Sequence, residues 1–542
     1  MWPVIQKISG SGRGIFAFLE TVNYSARKFR VAKIILFLAV FSYFSLFIST
    51  MLDPDFGWHI KVGDWIIQNR QVPHYDELSH TMAGHEWVDH EWLINGLLAF
   101  AYGKGAMFFV IMIFSVMASL PFAYWIAKAR SYASFFPLVV GAIAMSGFIF
   151  IRPAVISFFL FFLFSEILAR SYGNSDFKRN IGFFAGILIF ILVWANLHAG
   201  FITGVGLICL AVFFDHARRL FSRKTIAWRA AAYDLILVVG CALVPFANPY
   251  GAGLYAEVLR IATSAQTHEY IEEWQSPVYC DNWRLPLFYV SFVFIAFVFR
   301  KSLDKYRLFA ASIFFIFFLG AIRNFMPFFV LAVPIMQSGA EHVRENIKKS
   351  QNLTPAAAKA KNLLALVFLA GFAGIVIFDL YDALVTDRQK YYPKEAVRAL
   401  SEYAQSHRVV LFNEYGWGGY LALYAPQIKV FIDGRMPHWK DPSGYSLMTD
   451  YIQVSCVGRP DDVGRIFGRY GVNTALINNI SGSSGEGMAT GIAGMVARIP
   501  AVNILAKSIS SRETQSQLKK TLLNQGWLVV YEDSSAALLV AP

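Results

Sequence analysis

The sequence predicts a polytopic α-helical membrane domain followed by a soluble α/β domain, and three observations lead there. Of 542 residues, 56% are hydrophobic, 15% are charged and 50 are Phe, a balance that domains dissolved in water do not carry, so lipid is the expected solvent. Apolar runs recur from Val31 to Asp379 and then stop, and their lengths approach the about 17 to 25 residues that a helix needs to cross a bilayer. From Tyr391 onward short strand-like runs alternate with helical ones, the pattern of a small α/β layer. The expected division is residues 1–382 in the membrane domain and 383–542 in the soluble domain.

The N-terminal segment sets Arg27, Lys28, Arg30 and Lys33 before an apolar stretch ending at Thr50, with no small-residue cleavage site after it. It reads as an anchor that stays. About eleven spans are expected, at 32–50, 106–127, 135–151, 154–169, 181–197, 199–214, 232–247, 285–299, 306–321, 324–338 and 362–381. With the N-terminus in the cytoplasm, inside segments hold 25 Lys and Arg and outside segments 7, while 16 of the 48 follow residue 382. That asymmetry predicts an N-inside, C-outside chain, since a whole translocated domain escapes the positive-inside rule. The net charge of +12 is therefore topological, and its spread over separate loops gives no nucleic-acid surface. Four Cys are too few for a disulfide framework. Cys209 and Cys241 fall in apolar runs, and Cys280 and Cys456 are expected as free thiols.

Once sorted by side, the unusual polar residues gather outside. The large first outer loop, 53–105, carries DPDFGWH (Asp53, Asp55, Trp58, His59) and then GHEWVDHEW (His85, Glu86, Asp89, His90, Glu91), and holds five of the eleven His. Arg152, Asn196, His198, Asn248, Glu272, Glu273, Arg323 and Asn324 stand at other outer span ends. Ionisable groups at the membrane boundary are costly unless paired, solvated or used, so their convergence points to a site. Each also has a plainer role open to it. Asp53 and Asp55 are good N-caps for a helix starting near Phe56. GHEWVDHEW suits an interfacial helix anchored by Trp, direct catalysis, or a zinc or manganese site, although its spacing matches no closed zinc motif. Arg152 and Arg323 could snorkel, and Asn196 and Asn248 could satisfy broken helix ends.

At these residues the sequence resembles the type-C glycosyltransferase superfamily, polytopic enzymes that take sugars from polyprenyl-phosphate carriers. DPDFGWH followed by Val72, Pro73 and Asp76 looks like that superfamily's aspartate-bearing outer loop. NEYGWGGYLALYAPQIKVFIDGR, Asn413 to Arg435, is similar to the W-W-D-Y-G segment of oligosaccharyltransferase catalytic subunits. Two departures stand out. Phe412 and Asn413 replace the tryptophan pair before Glu414, and no second carboxylate pair follows the third span, where the loop is only Arg152 and Pro153.

The resemblance implies an inverting displacement on the extracytoplasmic side of a bacterial inner membrane. Asp53 or Asp55 would be the base, with the register favouring Asp53. Arg152, Arg323, His59, His90, Glu91, Glu272 and Glu273 would bind the donor and its phosphate, and a divalent cation, Mg or Mn, held by Asp53, Asp55 and Glu272 is the alternative source of charge. Glu414 and Tyr415 would touch the acceptor, and the loop between Asn248 and Arg284 would serve as a lid. The implied partners are a polyprenyl-phosphate-linked sugar and membrane lipid. Oligosaccharyltransferase-like protein glycosylation, a transporter or flippase, and a non-enzymatic assembly protein are the competing readings.

In the soluble domain the expected elements are a helix at 395–405, strands at 409–413 and 429–433 around a Gly-rich bend and an aromatic helix, a helix at 462–470 and a strand at 474–478. A flexible stretch at 481–494, a helix opened by a Ser510–Glu513 capping box and a terminal hairpin of 528–531 and 537–540 complete it. Asp433-Gly434 reads as a strand-end turn.

Overall fold

A computed structural model describes residues 2–50, 52–173, 180–222, 228–279, 282, 284–349, 392–479 and 517–542. The helical part runs α1 (Trp2–Thr50), α2 (Phe56–Asn69), α3 (Trp92–Lys128), α4 (Phe135–Ser146), α5 (Pro153–Gly173), α6 (Ile181–Leu197), α7 (Phe201–Phe221), α8 (Trp228–Leu243), α9 (Ala252–Thr263), α10 (Ala265–Tyr270), α11 (Arg284–Phe299), α12 (Lys305–Gly320) and α13 (Phe325–Lys349). Ten of the eleven expected spans fall on these helices, as they must if lipid leaves backbone groups no partners except those within the helix. Among the described residues, five helical stretches are long and apolar enough to cross a membrane by length and composition: Ala26–Thr50, Met107–Lys128, Pro153–Tyr172, Phe201–Phe221 and Trp228–Ala247. The expected span at 362–381, Cys280, the 481–494 stretch and the Ser510–Glu513 box lie outside the described residues.

Between helices surrounded by lipid, shape-specific contacts replace the aqueous hydrophobic drive. The abundant Phe supplies them. Phe318 of α12 stacks on Phe328 of α13 with centroids 5.5 Å apart, and Phe288 of α11 and Phe122 of α3 meet Phe329 of α13 at 5.0 and 5.8 Å. Such ring pairs contribute about 0.5 to 1.5 kcal/mol each beyond burial. They seat α13 in the middle of the bundle and fix the Arg323 turn at its N-terminal end.

The C-terminal part is a four-stranded mixed sheet, β1 (Leu411–Asn413), β2 (Thr474–Asn478), β3 (Leu528–Glu532) and β4 (Ala536–Val540), in the order β1-β2-β4-β3. The β1–β2 pair is parallel, and β4 pairs antiparallel with both β2 and β3. The expected hairpin, the 474–478 strand and helices Lys394–Tyr403, Gly418–Tyr424 and Pro460–Tyr470 are all present. The run at 429–433 differs from expectation, because it joins no strand of this sheet. Its edge is taken by the first outer loop: Val430 N–H donates to Leu78 O and His80 N–H to Val430 O, both at 3.1 Å, and Thr81 Oγ1 donates to Phe431 O at 2.5 Å. A β-like run pairs with whatever edge reaches it, and here a loop more than 300 residues away does.

Glycine contacts draw the two parts together. A Cβ on Gly57 of α2 would stand 1.9 Å from Gly419 O, and one on Gly419 would stand 2.1 Å from Pro54 O. The helix Gly418–Tyr424 therefore lies directly on the turn that carries Asp53 and Asp55.

Candidate functional site

The DPD turn opens α2 with Phe56 N–H donating to Asp53 O and His59 N–H to Asp55 O. No side chain caps this helix. The carboxylates are thus left for other partners, which removes capping as their explanation. Asp53, 3% exposed, accepts the Asp55 N–H on Oδ1 at 2.9 Å and ion-pairs through Oδ2 with Arg152 Nε at 3.1 Å. Arg152, at the start of α5, also binds Glu273, so it bridges two carboxylates and does not snorkel. Asp55 is half-buried, accepts from Trp58 Nε1 at 2.9 Å and makes no ion pair among the described residues. Burial, then the adjacent Asp53 charge, pushes the Asp55 carboxyl up to about 7, and burial also raises Asp53.

Arg323 follows α12 in a short turn and lies 4.0 Å from the Trp274 ring centroid. It makes no ion pair among the described residues, and burial lowers its proton affinity, with nearby Glu273 and Glu91 opposing and Arg152 assisting. A half-buried guanidinium beside other charges without a carboxylate of its own is a poised anion donor. Of the EEW pair, Glu273 reaches this centre whereas Glu272 is exposed.

Behind the turn, three imidazoles face one carboxylate. Glu91 lies 3.8 Å from His59 Nδ1, 3.7 Å from His90 Nε2 and 3.4 Å from His198 Nε2. The hydrogen-bond network assigns the tautomers. Asn95 donates its amide to both oxygens of Asp89, so its Oδ1 accepts from His59 Nδ1–H at 2.7 Å. His198 Nδ1 accepts from Gly200 N–H at 2.9 Å, which puts the ring proton on Nε2, toward Glu91. That is the reverse of a metal-bound imidazole, whose outer nitrogen donates. Burial holds His59 down to about 3 and His90 to about 4, so both are neutral, while Asp89 is pushed up to about 7. Residues 85–91 are irregular, with one bridge from Glu86 to Tyr75 and a turn at 90–91, not the interfacial helix that was one of the readings of GHEWVDHEW. Among the described residues no group of three or more His, Cys, Asp or Glu is arranged to hold a metal ion. Asn196 and Asn248 satisfy helix-end carbonyls and each other, the plainer of their expected roles.

The sheet domain closes the site over the helical part, largely through residues that sequence reasoning passed over. A Cβ on Gly434 would stand 1.8 Å from Asp55 Oδ1, so the Asp433–Gly434 turn is a wall of the carboxylate's pocket. Arg435 binds Asp433 at 2.7 Å and Asp76 of the outer loop at 2.8 Å, and its guanidinium lies 4.8 Å from the Trp87 ring and 5.4 Å from Trp439. Tyr415 looks onto the same centre: burial, then the charges of Asp55, Asp433, Glu273 and Asp53, raises its hydroxyl. Glu414 does not join it. Its oxygens accept from Tyr451 OH at 2.9 Å and Asn478 N–H at 3.2 Å, inside the sheet domain. The structure thus gathers Asp53, Asp55, His59, His90, Glu91, Arg152, Glu273, Arg323 and Tyr415, and leaves Glu272 and Glu414 aside. The D-G-R run was the available signal for the missed wall, but its partner is distant in sequence.

No family model and no curated protein matches the chain. Among solved structures, the apo oligosaccharyltransferase of Archaeoglobus fulgidus matches over 82% of this chain and 69% of that one, at 10% identity and a TM-score of 0.51. ArnT from Cupriavidus metallidurans bound to undecaprenyl phosphate matches over 94% and 97%, at 12% identity and a TM-score of 0.49. The archaeal enzyme with an inhibitory peptide and a dolichol-phosphate gives 83%, 69%, 10% and 0.44. The chain has the type-C glycosyltransferase fold, distantly shared with the archaeal oligosaccharyltransferase. It is a helical membrane protein of that architecture with a small mixed sheet.

Proposed function

We propose that the chain is an inverting glycosyltransferase of the bacterial inner membrane, N-inside and C-outside, which moves a sugar from a polyprenyl-phosphate donor to an acceptor hydroxyl or amine on the extracytoplasmic side. The observation that carries this reading is a half-buried Asp55 near Arg152, which Asp53 and Glu273 hold, with Arg323 in turn near Arg152 and Glu273; neither Asp55 nor Arg323 makes an ion pair among the described residues. Asp55 is the base. Its proton affinity near neutrality suits removal of a proton that becomes acidic only as the new bond forms. Asp53 is buried and committed to Arg152, so it positions the turn; this reverses the preference that the motif register gave.

In the reaction the acceptor atom attacks the anomeric carbon, the bond from that carbon to the carrier phosphate breaks, and the acceptor proton passes to Asp55. Arg323 and the outer edge of Arg152 neutralise the phosphate as charge develops on the leaving oxygen. A divalent cation would serve the same end only if it displaced Arg152 from Asp53. The neutral His59, His90 and His198 around Glu91 form a rigid polar floor beneath the carboxylate turn. Tyr415 and the Gly434 turn belong to the acceptor side. Because Glu414 is engaged within the sheet domain, nothing favours a sequon-reading protein acceptor over a glycan or lipid.

The test is transfer of sugar from a synthetic polyprenyl-phosphate donor pool by the purified chain, comparing wild type with Asp55→Asn, Asp53→Asn and Arg323→Gln. The expected result is loss of transfer in Asp55→Asn while membrane insertion and melting temperature hold. Full activity in Asp55→Asn would overturn the assignment, and a substrate carried across vesicles without chemical change would favour a transporter.

A further inference from the structure

At the end of the bundle away from Asp53 lies a cavity of about 470 Å³ between the ends of α3, α5 and α13 and the start of α12. Helix α5 gives its distance. Arg152 precedes that helix and Arg170 lies near its end, a rise of about 26 Å at 1.5 Å per residue, close to the thickness of a bilayer core. The cavity therefore opens at the opposite membrane face.

Its charges are not balanced among themselves. Four cations line it, Lys128, Arg130, Arg170 and Arg307, against three acids; among the described residues only Arg307 is in salt-bridge contact, with Glu166 at 2.7 Å, which also lies near Arg170. The acids are already occupied. Glu166 also accepts from Tyr124 OH at 2.6 Å, and Glu341 accepts from the hydroxyls of Ser131 and Ser134 and from Arg344. Glu345 lies 4.0 Å from His342 Nδ1. Lys128, Arg130 and Arg170 make no ion pair among the described residues; Lys128 lies over the Tyr124 ring and Arg170 donates to its hydroxyl. Nearby, α3 exposes Leu120 at 41%, α5 exposes Ile167 at 37%, and the turn before α4 exposes Tyr132 at 57%. Cations that outnumber the acids of a cavity, flanked by exposed apolar side chains, match an amphiphile with an anionic head better than a soluble anion.

We propose that this cavity binds the phosphate headgroup of an anionic phospholipid, with Lys128, Arg130 and Arg170 on the phosphate and the acyl chains along Leu120 and Ile167. Such a site would seat the bundle at the membrane face opposite its reaction centre. The proposal rests on the chain's residence in a membrane and not on the transfer reaction, so either can fail alone.

The experiment is native mass spectrometry of the full-length chain in detergent, titrated with phosphatidylglycerol and with phosphatidylcholine. Each basic residue near an anionic interface multiplies occupancy roughly fivefold, and solvent exposure reduces this, so wild type should retain phosphatidylglycerol about tenfold more strongly. Lys128→Gln, Arg130→Gln and Arg170→Gln together should bring the two lipids to parity, while Arg398→Gln and Arg459→Gln in the sheet domain should leave the preference intact. Should the triple variant aggregate, the exposed single changes Lys128→Gln and Arg130→Gln should each lower the preference. Equal retention of both lipids by wild type, or an undiminished preference in the folded variants, would overturn the proposal. Complete displacement of the lipid by inorganic phosphate would overturn its lipid assignment in favour of a soluble anion.

Discussion

Gly434→Ala is the sharpest probe of how the sheet domain serves the membrane site. The added methyl would stand 1.8 Å from Asp55 Oδ1 and 2.6 Å from its Cγ, where contact becomes ordinary only from 3.4 Å. Wall and carboxylate must then part by about 1.6 Å. Strain of this kind in a packed site costs about 1 to 3 kcal/mol, so the chain should still fold, with a melting temperature lower by a few degrees. Misplacing a reacting group by about 1 Å costs on the order of 100-fold in rate, so the transfer rate should fall by about that factor with little change in donor KM. Gly416→Ala is the control, because a Cβ there meets nothing within 4 Å. Both variants would be assayed for transfer on a labelled polyprenyl-phosphate sugar, with thermal stability measured in parallel. A wild-type rate in folded Gly434→Ala would refute the idea that this turn fixes Asp55.

Other expectations follow from the same geometry. As the proposed base Asp55 would work deprotonated, and its carboxyl is held at about 7, so kcat/KM should rise with pH through neutrality and fall tenfold per unit below it. Arg152 lowers the Asp55 proton affinity, so Arg152→Gln should move that limb to higher pH; an unmoved limb would assign the titration to another group. On the proposed reading Arg323→Gln would remove a charged donor from the phosphate and should lower kcat/KM by about 10- to 100-fold, the loss of about 1.5 to 3 kcal/mol expected for such a bond, read from donor titrations. Glu414→Gln leaves one of two buried donors without its acceptor; stability should fall by about 1 to 3 kcal/mol in thermal melts with the rate of the folded fraction unchanged. A large rate loss at full stability there would instead mark Glu414 as an acceptor contact.

The helices were readable because lipid imposes a local rule: a span needs a run of apolar residues, and the run is visible in one dimension. The boundaries of α6 at Ile181–Leu197 coincide with the expected ones for that reason, and those of β2 at Thr474–Asn478 because a short apolar run with its flanking turn residues is an equally local signal. The run at 429–433 has the composition of a strand, and composition cannot say which edge it meets; Leu78 and His80 took it. The acidic pair in EEWQSP poses the same difficulty on a smaller scale. Glu272 and Glu273 are equivalent as letters, and only the path of the turn decides that Glu273 reaches Arg152.

The glycines make the argument most clearly. In a sequence, GWGGY and DGR read as turns, because glycine is usually wanted for backbone freedom. Neither Gly419 nor Gly434 has a positive φ, so freedom is not what they provide. They provide absence of a side chain, at points where Pro54 and Asp55 press within contact distance from a loop nearly 400 residues away. Gly57 gives the same room from the other side, against Gly419. The membrane domain therefore carries the carboxylates, but their placement depends on a surface that the sheet domain brings up to them. A sequence motif built on the aspartates alone describes only one half of such a site. The other half is legible once the requirement is stated physically: a small residue opposite each charged one, wherever in the chain it happens to lie.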